Sequence, residues 1–282
     1  MSVALPGCPL PPDRRQSALT ARFLRPVEPA LMEFFLAVRA ETDRELGAPG
    51  RLEARNRLYP KGFCLEITMD VLDRLRRHVA RPAHPAARAL KAFLSAGGTG
   101  GIVWGVLRGQ YFQNALQFGG LYVDVANDTV TVTKPKVEIL PMERSGLEAV
   151  RGPEHFAEVS RTYWDLEIYA NHALPALAPI LPMIGVQEGA RPALLSTNAY
   201  MLGLFRQDAF RKAQAWLESG PVPPAGVVEA LRALCPDDVL ADNPQPGRQP
   251  AVDACVAARA AGAATDEGWV QARLLAAQRI RS

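Results

Sequence analysis

Apolar residues recur at helical spacing in three segments of the N-terminal half of the chain. These segments run from Pro29 to about Leu46, from about Cys64 to Val79, and from about Ala86 to Leu94. Apolar positions three and four residues apart lie on one side of an α-helix, so each segment is predicted to be an amphipathic helix. Gly47–Gly50 and Arg81-Pro82 follow the first two segments, as expected where helices end.

Strand patterns are confined to residues 102–140. Short runs of apolar and β-branched residues are concentrated there, and Gly119-Gly120 provides a tight turn between two of them. Because the runs are short and closely spaced, they predict a small antiparallel sheet. The predicted strands are 102–107, 110–116, 121–125, 130–133 and 137–140.

Beyond residue 145 the pattern predicts helices. They are 154–174, 192–217 as one long or broken helix, 227–234 and an alanine-rich C-terminal helix broken at Gly262 and Gly268. The proline-rich stretch 236–250 is predicted to be a loop. We therefore predict an α+β fold in three parts: a disordered tail over 1–17, an α+β core over 18–145, and a mainly helical region over 146–282 packed on that core.

Composition narrows the class of protein. The 282 residues are 48% apolar and 22% charged, as in ordinary globular proteins. The net charge of +3 is small and basic residues alternate with acidic ones, so we predict no nucleic-acid partner. The most apolar stretch, Ala173–Val186, contains prolines and is too short to span a bilayer, so we expect no membrane association. Sparse cysteines and an N-terminus without a signal-peptide pattern favour free thiols and a cytoplasmic location.

Cys64 is the main candidate for chemistry. It follows the turn Pro60–Gly62 and begins the second predicted helix. Unpaired backbone N–H groups and the helix dipole stabilise a thiolate at this position, and the thiolate is the reactive form of cysteine. The alternative is that Cys64 is a small buried side chain beside Phe63 and Leu65, since free cysteine is among the most buried residue types.

The order of residues in 59–128 resembles papain-like thiol enzymes of the transglutaminase and arylamine N-acetyltransferase type. In that family a cysteine begins a helix, a histidine lies on a following strand, and an aspartate on the next strand orients the histidine. Gly109–Asn114 followed by Gly119–Asp124 is similar to the paired strands of this pattern. The resemblance covers about a quarter of the chain. It implies a papain-like or transglutaminase-like core with Cys64 as nucleophile and Asp124 as the orienting carboxylate.

Glutamine occupies the position where that family has histidine. By residue order this position is Gln110, or Gln113 if the strand register slips. A glutamine amide does not titrate near neutral pH and cannot take the thiol proton, but it can stabilise an oxyanion or orient a carboxylate. Three explanations stay open. A histidine from elsewhere (His84, His155 or His172) reaches the thiol, a thiolate acts without a base, or the fold is kept for binding.

Metal ions and cofactors are not expected. Asp124, Asn127 and Asp128 offer oxygen ligands that suit Mg²⁺ or Ca²⁺, but their spacing fits no EF-hand loop and a turn explains them more simply. The four histidines are too far apart for a zinc motif. We therefore predict neither a metal site nor a cofactor.

The leading hypothesis is a cysteine-dependent hydrolase or acyl or amide transferase acting on a small molecule, a peptide or a protein. Cys64, Gln110 and Asp124 are its candidate catalytic residues, and Gln113, Tyr111 and His172 its candidate binding residues. The first alternative is a catalytically inactive protein of the same fold that binds a partner or a small ligand. The second is a structural or interaction protein in which Cys64 belongs only to the core. The sequence predicts neither a particular substrate nor an oligomeric state.

Overall fold

The computed structural model describes residues 5, 7–48, 58–195 and 198–280. The chain divides into two units: the first spans Gly7–Ala149 and the second contains Val150–Ser282. Each unit combines helices with an antiparallel sheet, so the predicted α+β character is confirmed. Within the described ranges, no helix has both the length and the apolar composition needed to cross a membrane.

Four α-helices precede the sheet in the described part of the first unit. They are α1 (Arg14–Leu19), α2 (Glu28–Leu46), α3 (Cys64–Ala80) and α4 (Pro85–Ser95). The last three confirm the amphipathic segments that the apolar spacing predicts. Helix α1 begins after Asp13, whose carboxylate accepts a hydrogen bond of 2.7 Å from the backbone N–H of Gln16. Part of the segment predicted as a tail is therefore helical, because this cap satisfies an unpaired N–H group at the start of the helix.

The first sheet has five strands in the order β4-β3-β2-β1-β5, all antiparallel. They are β1 (Gly100–Leu107), β2 (Tyr111–Phe118), β3 (Leu121–Asp124), β4 (Glu138–Pro141) and β5 (Leu147–Glu148). A short helix, α5 (Met142–Ser145), joins β4 to β5 although these strands are the two edges of the sheet. The edges of a flat five-stranded sheet would lie about 19 Å apart, which so short a connection does not span, and the sheet must therefore curl.

The predicted strand at Val130–Thr133 is wrong. This segment forms turns, in which the backbone N–H of Lys134 donates to Thr131 O at 3.0 Å. The alternation of apolar and polar residues is present, but no described strand pairs with it. Periodicity alone does not make a strand, because the backbone groups also need a partner.

The core of the first unit lies between α2, α3, α4 and one face of the sheet. Leu116 and Phe118 of β2, with Leu121 and Val123 of β3, pack against apolar residues of these helices. Since neighbouring residues of a strand point to opposite faces, Gln113 and Asp124 lie on the other face. One face of the sheet therefore closes the helical core, and the other carries buried polar groups.

The second unit contains seven helices and a three-stranded sheet of order β6-β7-β8 in its described part. Its strands are β6 (Glu167–Ala170), β7 (Met183–Val186) and β8 (Ala193–Leu194). Its helices are α6 (Pro153–Trp164), α7 (Ala199–Gln207), α8 (Arg211–Ser219), α9 (Ala225–Ala233), α10 (Asp237–Ala241), α11 (Arg248–Ala260) and α12 (Glu267–Gln278).

Several boundaries predicted for the C-terminal half are wrong. The helix predicted over 154–174 ends at Trp164, because Asp165 adopts a left-handed conformation with φ of 52°, and β6 follows. The helix predicted from residue 192 begins at Ala199, and the predicted loop 236–250 contains α10 and the start of α11. A break occurs at Gly262 as predicted, whereas Gly268 lies inside the first turn of α12.

Candidate functional site

A glycine-dependent turn places Cys64 at the first position of α3. The backbone N–H of Phe63 donates to Pro60 O at 3.1 Å, and Gly62 has a φ of 77° that favours glycine. The N–H of Gly62 also donates to Thr129 O at 2.9 Å, which ties this turn to the segment after β3. Helix α3 has no side-chain cap at its N-terminus. The thiol is therefore placed at a helix start, as the sequence predicts.

The surroundings of the thiol favour its neutral form. Asn114 on β2 donates from Nδ2 to Cys64 Sγ at 3.5 Å. Desolvation is the largest influence on the pKa of Cys64 and raises it; the hydrogen bonds from Asn114 lower the pKa, and the negative charges of Asp124 and Glu66 raise it further. The net result is a raised pKa, opposite to the shift that activates catalytic thiols.

Asp124 is fully buried and accepts hydrogen bonds from three groups. Gln113 Nε2 lies 2.9 and 2.8 Å from its two carboxylate oxygens, the hydroxyl of Tyr122 donates at 2.9 Å, and the backbone N–H of Ala126 donates at 2.8 Å. Desolvation raises the pKa of Asp124 to about 6, and these hydrogen bonds limit the rise. The carboxylate is thus occupied by internal donors.

Cys64 and Asp124 belong to opposite faces of the sheet. Asn114, which contacts the thiol, lies on the face of β2 that carries Leu116 and packs against the helices. Gln113, which contacts Asp124, is its neighbour along the strand and therefore points to the other face. The structure brings together Gln113 with Asp124 and Asn114 with Cys64, but does not assemble one triad from these residues.

Gln110 and Tyr111 lie away from this arrangement. Gln110 is exposed in the turn between β1 and β2, so its predicted place on a strand is wrong. Tyr111 is buried, and its hydroxyl accepts a hydrogen bond from Lys134 Nζ at 3.1 Å. Lys134 also lies over the Tyr111 ring, 5.6 Å from its centroid.

The candidate histidines have local roles. His84 caps α4, where its Nδ1 accepts from the backbone N–H of Ala86 at 3.2 Å, and its ring stacks on Phe34. His155, in the second unit, accepts from the backbone N–H of Arg151 at 3.3 Å. His172, also in the second unit, has its Nε2 2.9 Å from Leu217 O. Among the described residues, the side chain that hydrogen-bonds to Cys64 is Asn114, and none of these three rings does so.

A buried ion cluster anchors the segment after β3. Arg39 is completely buried on α2 and forms hydrogen bonds of 2.8 and 3.1 Å with the two carboxylate oxygens of Asp128, one of 2.8 Å with Asp43, and one of 2.6 Å with Val125 O. Desolvation lowers the pKa of Arg39, but its hydrogen bonds and the charges of Asp128 and Asp43 outweigh this effect and raise it. The cluster fixes the chain next to Asp124.

Both carboxylates considered for a metal ion are engaged by other groups, Asp128 by Arg39 and Asp124 by its own donors. Asn127 donates from Nδ2 to Pro135 O at 2.8 Å, while its buried Oδ1 has no hydrogen-bond partner among the described residues. In the part of the chain that the structure describes, no group of three or more metal-ligating side chains is close enough to hold a metal ion.

Asn114 and Arg39 are the site residues that sequence reasoning missed. Asn114 has a recognisable signal: Leu116 and Phe118 on the same face of β2 are apolar, so a polar residue at 114 interrupts the face that meets the helices. The signal for Arg39 is its place four residues after Phe35, on the buried side of α2. Neither signal alone identifies a partner residue.

An apolar cleft of about 400 Å³ lies between α3, α4 and the start of β1. Its basic groups are Arg76 and Lys91, and no acidic side chain is among the lining residues. Leu65 and Met69, on the N-terminal part of α3, are about half exposed. The apolar lining comes from Leu72, Leu75, Val79, Ala80, Leu90, Leu94, Gly100 and Phe118.

The hydrogen-bond partners of Cys64 and Asp124 differ from those of the thiol enzymes that the sequence resembles. Both Cys64 and Asp124 have defined partners, but those partners are amide, hydroxyl and backbone groups and not an imidazole. Any functional conclusion therefore rests on the chemistry of the residues themselves. Comparison of the chain with protein-family models, with curated proteins and with solved structures gives no match.

Proposed function

We propose that the first unit is a papain-like or transglutaminase-like arrangement that binds a partner and does not perform thiol catalysis. The observation that carries this proposal is the contact of Cys64 Sγ with Asn114 Nδ2, 3.5 Å apart. Asn114 is the strand residue facing the thiol, where a thiol enzyme needs a group that takes the thiol proton and returns it. An amide does neither.

The carboxylate of Asp124 supports the same conclusion. In a thiol enzyme it would orient an imidazole on the thiol side of the sheet. Here Gln113 Nε2 contacts both of its oxygens on the opposite face. Its three donors and its complete burial suit a structural role, because buried polar groups that are hydrogen-bonded give a sheet a defined register and packing.

The binding surface we propose is the side of α3 that leads into the apolar cleft. Four residues follow one another at helical spacing along this side over about 16 Å: Leu65, Met69, Leu72 and Arg76. Leu65 is 45% and Met69 51% exposed, which is unusual for neighbouring large apolar residues. Contiguous exposed apolar side chains with a polar border are typical of interaction surfaces.

The partner we propose is an amphipathic helix with an acidic border. A helical segment of three turns matches the length of this surface, and its apolar side chains would enter the cleft. Lys91 borders the cleft and no acidic residue lines it, whereas Arg76 pairs with Asp73 at 2.8 Å, so acidic residues of the partner would meet the complementary charge of Lys91.

Binding is tested with a fluorescently labelled three-turn peptide of leucine and glutamate, using fluorescence anisotropy at moderate salt. A peptide of the same pattern with lysine in place of glutamate is the control. We expect saturable binding of the acidic peptide at least tenfold tighter than binding of the basic one. Failure of the acidic peptide to bind, or equal binding of both, would contradict the proposal.

Substitutions locate the binding. Met69→Lys and Lys91→Glu are expected to weaken binding of the acidic peptide at least threefold, since one removes apolar contact and the other reverses a charge bordering the cleft. Arg77→Glu is the matched control, because Arg77 is exposed on α3 but is not a lining residue. A loss in Arg77→Glu as large as in Lys91→Glu would indicate only long-range attraction.

A cysteine-dependent hydrolase or acyl transferase is the second candidate function. The observation in its favour is the position of Cys64 at the first residue of α3, in a helix without a side-chain cap, where free backbone N–H groups can stabilise a thiolate. The raised pKa of the thiol and the absence of an imidazole contact among the described residues favour the binding proposal instead. Selective alkylation of Cys64 at neutral pH would reverse this preference.

A further inference from the structure

The second unit contains a cavity of about 720 Å³, separate from everything proposed for the first unit. It lies between α9, the end of α10 and the residues before α11. A volume of this size with mostly apolar walls is typical of small-molecule sites. The apolar lining consists of Val222, Pro223, Ala225, Val228, Ala233, Leu240, Pro246 and Gly247.

One wall of the cavity carries a hydrogen-bond acceptor that belongs to a buried side chain. His172 lines the cavity and is only 3% exposed. Its Nε2 lies 2.9 Å from Leu217 O; a carbonyl oxygen only accepts, so Nε2 carries the proton and Nδ1 has the lone pair. Desolvation lowers the pKa of His172, the hydrogen bond to Leu217 O raises it and the charge of Arg248 lowers it further; the net lowering favours the neutral ring. No donor from the described part of the chain reaches Nδ1.

The same cavity has cationic groups. Arg232 is held in place by hydrogen bonds from Nη1 to Ala173 O at 3.0 Å and to Asn243 O at 2.8 Å. Arg248 is exposed and begins α11, a helix of 13 residues with no side-chain cap at its N-terminus. A helix N-terminus and an arginine both attract an anionic group. The lining contains one acid, Glu229, so the charged lining residues sum to a positive value.

We propose that this cavity binds a small apolar molecule that carries both a hydroxyl group and a carboxylate. The hydroxyl donates to His172 Nδ1, and the carboxylate lies at Arg248 and the N-terminus of α11. The apolar body contacts the aliphatic walls contributed by α9 and Leu240. The ligand needs both groups because they meet different partners. The neutral histidine accepts a hydrogen bond at Nδ1 from the hydroxyl, and the arginines attract the negative carboxylate.

The first test is isothermal titration calorimetry of the full chain with three matched probes. Para-hydroxyphenylacetate has both polar groups, phenylacetate lacks the hydroxyl, and para-hydroxyphenylethanol lacks the carboxylate. We expect one saturable site for the first probe and at least fivefold weaker binding of each of the other two. No saturable binding of para-hydroxyphenylacetate, or equal affinity for phenylacetate, overturns the proposal.

Substitutions place the probe in the cavity. Ala233 is exposed and lines the cavity, so Ala233→Trp is expected to fill the space and abolish binding without disturbing the core. Arg248→Gln is expected to weaken binding of para-hydroxyphenylacetate at least threefold and that of the alcohol less. Arg191→Gln, at an exposed position that is not a lining residue, is the control. Binding that persists unchanged in Ala233→Trp overturns the proposal.

The role of His172 has a readout that needs no substitution of this buried residue. In protein labelled with ¹⁵N-histidine, the chain has four rings to assign. We expect the Nδ1 resonance of His172 to move upfield with para-hydroxyphenylacetate and to stay in place with phenylacetate. A resonance that moves equally with both probes contradicts hydrogen bonding from the hydroxyl to His172.

Discussion

Replacing Asp124 with asparagine is expected to make the protein less sensitive to pH. Desolvation raises the pKa of Asp124 in the folded chain to about 6, from 3.8 for an ordinary aspartate. A group whose pKa is raised by folding binds its proton more tightly in the folded state. The unfolding free energy therefore falls as pH rises from about 4 to about 6. In this range the carboxyl ionises readily in the unfolded chain, whereas burial opposes its ionisation in the folded chain.

The magnitude follows from the two pKa values. A shift of about two units corresponds to about 3 kcal/mol when the whole titration is covered, since each unit is worth about 1.4 kcal/mol. Between pH 4 and pH 7.5 most of this range is covered, so the contribution of Asp124 should change by about 2 to 3 kcal/mol. Asparagine does not titrate, and any other effect of Asp124→Asn is common to all pH values.

The assay is urea unfolding of wild type and Asp124→Asn at several pH values in this range, with free energies from linear extrapolation. The unfolding free energy of the variant minus that of wild type should increase by about 2 to 3 kcal/mol from pH 4 to pH 7.5. Gln110→Met, a neutral substitution in the exposed turn, is the control, and its difference should stay constant. A constant difference for Asp124→Asn as well would refute the reasoning about its burial.

Three further substitutions test neighbouring parts of the structure. Gln113→Met removes the amide that contacts both oxygens of Asp124 and should lower the unfolding free energy at pH 7.5 by about 1.5 to 3 kcal/mol. The loss should be smaller at pH 4.5, because the carboxyl is protonated there. Equal losses at both pH values would contradict this expectation. Arg39→Met leaves Asp128 buried without its partner and should cost about 3 to 5 kcal/mol in urea unfolding, whereas exposed Arg44→Met on the same helix should cost under about 0.5 kcal/mol. Asn114→His places an imidazole beside the thiol and should speed alkylation of Cys64 at pH 7.5 at least threefold. The control Gln110→His should leave the rate unchanged. Acceleration in Gln110→His instead would show that the turn and not β2 faces the thiol.

The helices of the first unit were predictable because their apolar spacing and their end signals agree. Helix α3 combines an apolar stripe with a preceding glycine turn and a following Arg81-Pro82, and its start at Cys64 matches the prediction. Segment 130–133 has strand alternation without a partner strand, and tertiary pairing is not visible in a single periodic segment.

The second sheet was missed because its first strand continues a helical pattern. Tyr163, Leu166 and Tyr169 have helical spacing with α6, but Asp165 in a left-handed conformation ends the helix between them. The spacing of apolar residues does not predict that a single residue adopts a positive φ. The helical spacing therefore predicts one helix through α6 and β6, whereas His172 follows the strand β6.

The sequence predicts the helix and the strand that carry Cys64 and Asp124, but not the face of the sheet on which each side chain lies. Cys64 begins a helix and Asp124 ends a strand, as the resemblance implies. Residue order does not give strand parity, and a shift of one residue along β2 moves a side chain from one face to the other. Asn114 and Gln113 are adjacent in sequence, yet one contacts the thiol and the other the carboxylate.

The pH dependence of iodoacetamide labelling decides whether Cys64 is an activated nucleophile. Peptide mapping resolves Cys64 from Cys8, Cys235 and Cys255, all of which are free thiols. We expect slow labelling of Cys64 at pH 7, with an apparent pKa above the value of about 8.5 for an ordinary thiol. Fastest labelling at Cys64, with an apparent pKa well below that value, would show an activated thiol and favour the thiol enzyme.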